Sequence, residues 1–166
     1  MIPEIKKILY ATDLSENARY AFSYAVSLAN RYGAGITIFH VLEDRSAYQD
    51  SLVINIIGDD KWNDLRKNKE KAVLDTIKER LEKFCEDVSR ELPACPFITD
   101  DIIVKIGNPV EEILQEAEAS HCDMVVMGTH GHGVLANAMM GSTSRRVLRR
   151  CKKPVLVVRL PEGEEA

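Results

Sequence analysis

No stretch of the 166-residue sequence approaches the roughly 18–20 consecutive apolar residues that a helix needs to cross a bilayer. No hydrophobic signal segment precedes the first predicted strand, so we expect a cytoplasmic protein without a membrane segment. Repeats, low-complexity tracts and interdomain linkers are also absent. Residues 1–160 are therefore expected to form one domain, followed at 161–166 by an acidic tail that frays.

The cysteines have no spacing typical of a metal site. Cys85, Cys95, Cys122 and Cys151 include no CxxC pair, so we expect reduced, half-buried thiols. His130 and His132 lie two apart in a glycine-rich loop, with no neighbouring cysteine or carboxylate. This is a weak case for zinc, and a polar loop that lines a ligand is the favoured interpretation.

The net charge of −4 argues against a general nucleic-acid-binding protein. One basic cluster runs against this trend and comprises Arg145, Arg146, Arg149, Arg150, Lys152 and Lys153. No aromatic residue is interleaved to stack on bases. A solvated helix face is therefore favoured over a nucleic-acid interface.

Hydrophobic periodicity predicts alternating strands and helices along the chain. The predicted strands are Lys6–Thr12, Ile36–Leu42, Ile102–Ile106, Met124–Met127 and Val155–Val158. Helices are predicted at Glu16–Tyr32, at 61–91, from Pro109 onward and after Gly141. This order predicts an α/β fold, a doubly wound five-stranded parallel sheet with helices on both faces. Ligands of such sheets bind where strand order reverses, which singles out the ends of the first and fourth strands.

Residues 43–60 form the least regular segment and are predicted to be an insert. Within it, the apolar run Leu52–Ile57 interrupts an otherwise polar sequence. A short helix or flap packed on the domain is the favoured interpretation. The alternative is a surface that docks an unidentified protein partner, because sizeable exposed apolar patches usually have a use.

A glycine-rich loop follows the fourth predicted strand and leads into the last helix. It contains Gly128, Gly131 and Gly141, followed by the hydroxyl residues Ser142, Thr143 and Ser144. Glycines let the backbone approach a ligand, and the first turn of a helix offers free N–H donors to phosphate oxygens. We therefore predict a nucleotide phosphate site, although Gly141 and Ser142 alone are also typical of an ordinary helix N-cap. The spacing fits neither the Gly-Lys-Ser/Thr phosphate loop nor the dinucleotide Gly-x-Gly-x-x-Gly motif.

The spacing Gly-x2-Gly-x9-Gly-Ser resembles that of the ATP-binding type of the universal stress protein family. Three further stretches support the resemblance: KILYATDLS at Lys7–Ser15, GNPVEEI at Gly107–Ile113 and KPVLVV at Lys153–Val158. It covers nearly all of Ile5–Arg159. The resemblance implies a bound ATP, ADP or AMP, accompanied by Mg²⁺ or Mn²⁺.

The resemblance also implies a set of residues around the nucleotide. They are Ala11, Thr12, Asp13, Val41, Met127, Gly128, His130, Gly131, His132, Gly141, Ser142, Thr143 and Ser144. Asp13 would lie near the ribose and the metal-bound phosphates, although it is also a plausible turn or cap residue. Val41 would offer backbone groups to adenine, and Met127 would pack by the base and ribose; both would otherwise be ordinary core residues. Ala11 stands where many members have proline, which removes no ligating group.

In the family, the closing strand pairs antiparallel with its copy in a second protomer. Val155–Val158 would be an apolar edge strand that needs such protection, so we expect a homodimer. We expect a nucleotide-dependent switch or stress-response regulatory protein, and the alternative is a nucleotide-independent interaction module acting as a homodimer. The glycine loop has no lysine and no base can be named, so we expect hydrolysis to be slow at most.

Overall fold

The computed structural model describes residues 1–43, 57–129 and 140–161. Residues 52–56 of the apolar run Leu52–Ile57 and residues 162–166 of the predicted acidic tail lie outside these ranges. Within the described residues the chain forms β1 (Lys7–Thr12), α1 (Glu16–Tyr32), β2 (Gly35–Glu43), α2 (Asp59–Glu91), β3 (Ile98–Gly107), α3 (Pro109–Ala119), β4 (Met124–Gly128), α4 (Ser142–Arg150) and β5 (Val155–Val158).

The strands form one sheet in the order β3-β2-β1-β4-β5, and every neighbouring pair is parallel. This confirms the predicted doubly wound sheet. β1 lies at the centre, so the chain builds outward to β2 and β3 on one side and then to β4 and β5 on the other. The strand order therefore reverses between β1 and β4, as the sequence predicted.

Each face of the sheet has its own apolar core, because successive strand residues point to opposite faces. Tyr10 and Val126 belong to the core covered by α1 and α2. Phe39 and Val125 belong to the core covered by α3 and α4. All four side chains are fully buried. Burial on both faces explains why the strands read as nearly continuous apolar runs rather than alternating ones.

The helix ends follow the signals in the sequence. Ser15 caps α1 by accepting a hydrogen bond from the Ala18 N–H at 3.1 Å, and Asn108 caps α3 through the Glu111 N–H at 3.2 Å. Gly33 ends α1 in the left-handed conformation with φ of 65°, which costs glycine little. Among the described residues, no helix has both the length and the apolar character of a membrane span.

β3 spans Ile98–Gly107, so the strand predicted at Ile102–Ile106 was placed correctly but its predicted start was wrong. The polar residues at 99–101 are tolerated because β3 is an edge strand and its register with β2 shifts at this point. Thr99 pairs with Ile36 and Asp101 with Thr37, so Asp100 is left as the extra residue of a bulge.

Gly35 is the first residue of β2, one residue before the start predicted from the sequence at Ile36. A Cβ at Gly35 would lie 2.0 Å from Asp100 Oδ2. A larger residue at this position would therefore have to displace the Asp100 carboxylate, which is exposed.

All four cysteines are free thiols, and two of them are more deeply buried than expected. Cys85 belongs to the core under α1 and α2, and Cys122 to the core under α3 and α4. Burial raises the pKa of both thiols. Each core therefore contains one buried thiol whose reactive thiolate form is disfavoured.

The charged helix α2 contacts the domain through a narrow seam and offers a matched test of that packing. Leu81 is 2% exposed and Leu65, in the same helix, is 58% exposed. We expect Leu81→Ala to lower the free energy of unfolding by about 2–5 kcal/mol, because it leaves a cavity in the core. Leu65→Ala is expected to change it by only about 0.5 kcal/mol. Urea unfolding followed by circular dichroism measures both, and equal effects would contradict the assignment of the seam.

Candidate functional site

A cavity of about 490 Å³ opens at the carboxyl edge of the sheet, beside the ends of β1, β2 and β4 and the N-termini of α3 and α4. Its walls include Ala11, Thr12, Asp13, Val41, Met127, Gly128, Gly141, Ser142, Thr143 and Ser144, all of which the sequence had singled out. His130, Gly131 and His132 lie outside the described residues. The two features predicted from separate parts of the chain, the end of β1 and the start of α4, therefore meet at one crevice.

The turn after β1 is locked by hydrogen bonds from its own side chains. The Leu14 N–H donates to Thr12 Oγ1 at 3.0 Å, and the Ser15 N–H donates to Asp13 Oδ1 at 3.0 Å. Leu14 has a φ of 66°, an uncommon conformation for a residue other than glycine. Asp13 is thus both a turn residue and a cavity-lining carboxylate, so the two interpretations left open by the sequence are compatible.

The N-terminus of α4 differs from those of α1 and α3. Its cap residue is Gly141, which makes no side-chain cap hydrogen bond. The N–H groups of the first turn, at Ser142–Ser144, have no acceptor within the helix. Because these residues line the cavity, their donors and the positive end of the helix dipole are available to an anion there.

The three hydroxyl groups at this helix start do not play the same part. Ser144 is 2% exposed, and its Oγ lies 2.8 Å from the Thr129 carbonyl oxygen and 3.1 Å from that of Gly141. The Gly141 N–H also donates to the Thr129 carbonyl at 2.7 Å. The Ser144 hydroxyl therefore fastens α4 to the residue that follows β4 and is already engaged within the protein.

Packing against Asn17 explains why position 128 is a glycine, and this contact could not be predicted from the sequence. A Cβ at this position would lie 2.4 Å from Asn17 Oδ1 and 3.3 Å from the Asn17 carbonyl carbon. Asn17 is buried, and its Nδ2 donates to the Val158 carbonyl at 3.4 Å. Gly128 therefore allows α1 to approach the ends of β4 and β5, which fixes one wall of the cavity.

β2 extends past the end of β1. The register of β1 with β2 ends where Thr12 pairs with His40, whereas β2 continues to pair with β3 through Val41 and as far as Glu43. The β1 ladder therefore does not reach Val41, which lines the cavity. Backbone polar groups beyond the end of a neighbouring strand are suited to recognise the hydrogen-bonding edge of a ligand.

Several cavity-lining residues were not proposed from the sequence. They are Ala18, Phe39, His40, Leu42, Glu43, Pro109, Ile113 and Thr129. His40 was visible as a lone imidazole in an apolar strand, but its partner could not be read from periodicity. Pro109 and Ile113 belong to a helix that was predicted, although its position against the end of β2 required the structure.

The cavity has an apolar part and a polar part. Phe39, Val41, Ile113 and Met127 supply apolar surface, while Asp13 and the first turn of α4 supply a carboxylate and N–H donors. Such a site suits a molecule with a flat apolar group and an anionic group. No three metal-ligating side chains converge on one point within the described part of the chain. A cation held by Asp13 would therefore need ligands from the bound molecule as well.

Sequence comparisons identify relatives over almost the entire chain. A sequence model described as the universal stress protein family matches residues 4–159. Universal stress protein MJ0577 of Methanocaldococcus jannaschii is 31% identical over 154 residues, covering 93% of this chain and 94% of that protein. The universal stress protein in the QAH/OAS sulfhydrylase 3′ region of Thermus aquaticus is 31% identical over 155 residues, covering 93% and 98%.

Structural comparisons agree. The solved structure of MJ0577 aligns with a TM-score of 0.70 at 29% identity, covering 97% of this chain and 100% of that chain. A universal stress protein family member from Arabidopsis thaliana, solved with AMP bound, aligns with a TM-score of 0.57 at 18% identity, covering 97% and 95%. The second likeness shows the fold alone.

The contact between Gly128 and Asn17 predicts a coupled pair of substitutions. Gly128→Ala should destabilise the protein by about 1–3 kcal/mol, because the new methyl group overlaps the Asn17 side chain. Asn17→Ala removes the overlapping Oδ1 and Cγ atoms. In the double variant, the added cost of Gly128→Ala should therefore be smaller than in the wild-type background, as measured by denaturant unfolding. Strictly additive free energies would contradict this explanation for the glycine.

Proposed function

Because this chain belongs to the universal stress protein family, we propose that it binds an adenine nucleotide, ATP, ADP or AMP, in the cavity between the ends of β1 and β4. The nucleotide serves as the signal of a stress-response switch rather than as the substrate of a fast enzyme. The observation that carries this proposal is the glycine-capped start of α4, which opens onto the same cavity as Asp13.

The phosphates would lie against the first turn of α4. The backbone N–H groups of Ser142–Ser144 would donate to phosphate oxygens, and the helix dipole would favour their negative charge. Asp13 would face the ribose and would share Mg²⁺ or Mn²⁺ with the phosphates. Such hard cations are commonly bound by one or two carboxylates together with nucleotide phosphates. The bound cation would screen the repulsion between the Asp13 carboxylate and the phosphates.

The base would lie in the apolar part of the cavity, beside Phe39 and Ile113. Val41 would offer its backbone N–H and carbonyl to the adenine edge, since β1 ends before it reaches this residue. Met127 would pack against the base and ribose. The Arabidopsis relative was solved with AMP, an adenine nucleotide, which supports this class of ligand for a protein of the same fold.

A switch is favoured over a fast ATPase by the charges around the cavity. Among the described residues that line it, none is lysine or arginine. Rapid phosphoryl transfer requires a cation on the transferred phosphate and a residue that positions the nucleophile. Asp13 alone cannot supply both, so bound ATP is expected to persist.

A homodimer through β5 is also part of this proposal. β5 is the last strand of the sheet order, so its outer edge is free to pair with another strand. Val155, Leu156 and Val157 are only partly buried in the single chain. Pairing with a second copy would cover both the polar edge and these apolar side chains.

Gly141→Asp provides the sharpest test of the nucleotide site. Gly141 has φ of −60° and ψ of 159°, which aspartate adopts without strain, and aspartate is a good helix cap. The variant should therefore fold well while its own carboxylate occupies the N–H donors and repels phosphate. We expect titration calorimetry to show micromolar ATP binding by the wild type, weakened about 10- to 100-fold or more in the variant.

Two variants control for charge and size in this experiment. Ser27→Asp adds the same charge on the exposed face of α1 and should bind like the wild type. Gly141→Asn adds the side chain without the charge. Its affinity for ATP should lie between those of the wild type and Gly141→Asp. A folded wild type that binds no adenine nucleotide would refute the proposed function, and unchanged binding by Gly141→Asp would place the nucleotide elsewhere.

The dimer is tested separately by sedimentation equilibrium. The wild type is expected to have twice the mass of one chain, and Val157→Lys is expected to be a monomer because a buried interface would have to accept a charge. Leu65→Lys, an exposed leucine in α2, serves as the matched control and should remain dimeric. A monomeric wild type at about 100 µM would contradict β5 pairing with useful affinity.

A further inference from the structure

His40 is a buried polar residue at the point where the ladder between β1 and β2 ends. It pairs with Thr12 in the strand register and is 7% exposed. His40 Nδ1 lies 2.7 Å from the Thr12 carbonyl oxygen. A carbonyl oxygen only accepts hydrogen bonds, so Nδ1 must carry the hydrogen and donate it. In the neutral ring this fixes one tautomer.

The Thr12 carbonyl belongs to the peptide group that joins Thr12 to Asp13. The register of β1 with β4 ends at Ala11, so this carbonyl lies beyond the last β1–β4 pair. Because a peptide group is planar, fixing the direction of its carbonyl also fixes the direction in which the chain enters Asp13. The His40 side chain thus orients the Thr12 carbonyl, as the hydrogen bonds between paired strands orient the carbonyls before it.

The other contacts of the turn hold the far side of Asp13. Thr12 Oγ1 accepts from the Leu14 N–H, and Asp13 Oδ1 accepts from the Ser15 N–H. Leu14 keeps its left-handed conformation between them. With His40 on the near side, the Asp13 carboxylate is constrained from both directions, and both residues line the cavity.

We propose that His40 is a positioning residue that orients the Asp13 carboxylate toward the bound nucleotide by holding the Thr12 carbonyl. This inference rests on the proposed function. It also explains why an imidazole is kept in a strand whose neighbouring side chains are apolar, since a buried polar group without such a bond would be costly.

The test compares His40→Leu with His40→Asn. Leucine removes the donor, whereas the asparagine amide places an N–H donor close to the position of Nδ1. In calorimetry with Mg²⁺ and ATP, we expect His40→Leu to bind about 2- to 12-fold more weakly than the wild type, the equivalent of one neutral hydrogen bond. His40→Asn is expected to recover most of this loss. Equal weakening in both variants would overturn the inference.

A double-mutant cycle separates positioning from a general loosening of the core. If His40 acts through Asp13, then His40→Leu should have little effect in an Asp13→Asn background. The same loss in both backgrounds would show a merely structural role and would overturn the inference. Thermal unfolding of each variant confirms that the compared proteins are folded.

A readout without nucleotide comes from the ¹⁵N NMR shifts of the His40 ring. We expect the Nδ1–H tautomer in the free protein, and the Nε2–H tautomer would overturn the proposed contact. If the folded wild type binds no nucleotide, the proposed function fails and this inference falls with it. If the wild type binds and His40→Leu binds equally well, only the inference about His40 falls.

Discussion

The site depends on the way in which β1 is shared between two halves of the sheet. β1 pairs with β2 on one side and with β4 on the other, and the helices of the two halves cover opposite faces. The chain therefore leaves the ends of β1 and β4 toward different sides of the sheet, and a crevice opens between them. The turn that contains Asp13 and the start of α4 meet because of this topology.

Most of the recognition available in this crevice comes from the backbone. β2 extends beyond the end of β1 and brings Val41 to the cavity. Gly141 leaves the first turn of α4 without a side-chain cap. Side chains such as Asn17, His40 and Ser144 mainly hold these backbone segments in place. Within the described residues, these contacts hold the backbone segments in place without a ligand, which would reduce the ordering that binding requires.

The parts of the structure that depend on local sequence could be predicted from it. Ser15, Gly33 and Asn108 mark helix ends by local hydrogen bonding and conformation, and apolar periodicity gives the strands. The start of β3 could not be predicted, because Asp100 is accommodated only by a bulge against β2 and by the missing Cβ of Gly35. The role of Gly128 and the partner of His40 likewise depend on residues 111 and 28 positions away in the chain. Glycine spacing singled out the start of α4, which lines the cavity, but no local pattern indicated which side chains hold it in place.

The two buried thiols, Cys85 and Cys122, can report how often the helices on each face of the sheet move away from it. Cys85 belongs to one core and Cys122 to the other, and both are protonated by burial. A thiol reagent can reach either sulfur only after the surrounding helix has moved away, so its rate of modification follows the frequency of that opening. The opening of the two faces can therefore be followed separately, provided that modification is measured at each cysteine, because the partly buried Cys95 and Cys151 also react. If a ligand in the crevice stabilises α4 more than α2, the modification rate of Cys122 will fall while that of Cys85 stays the same.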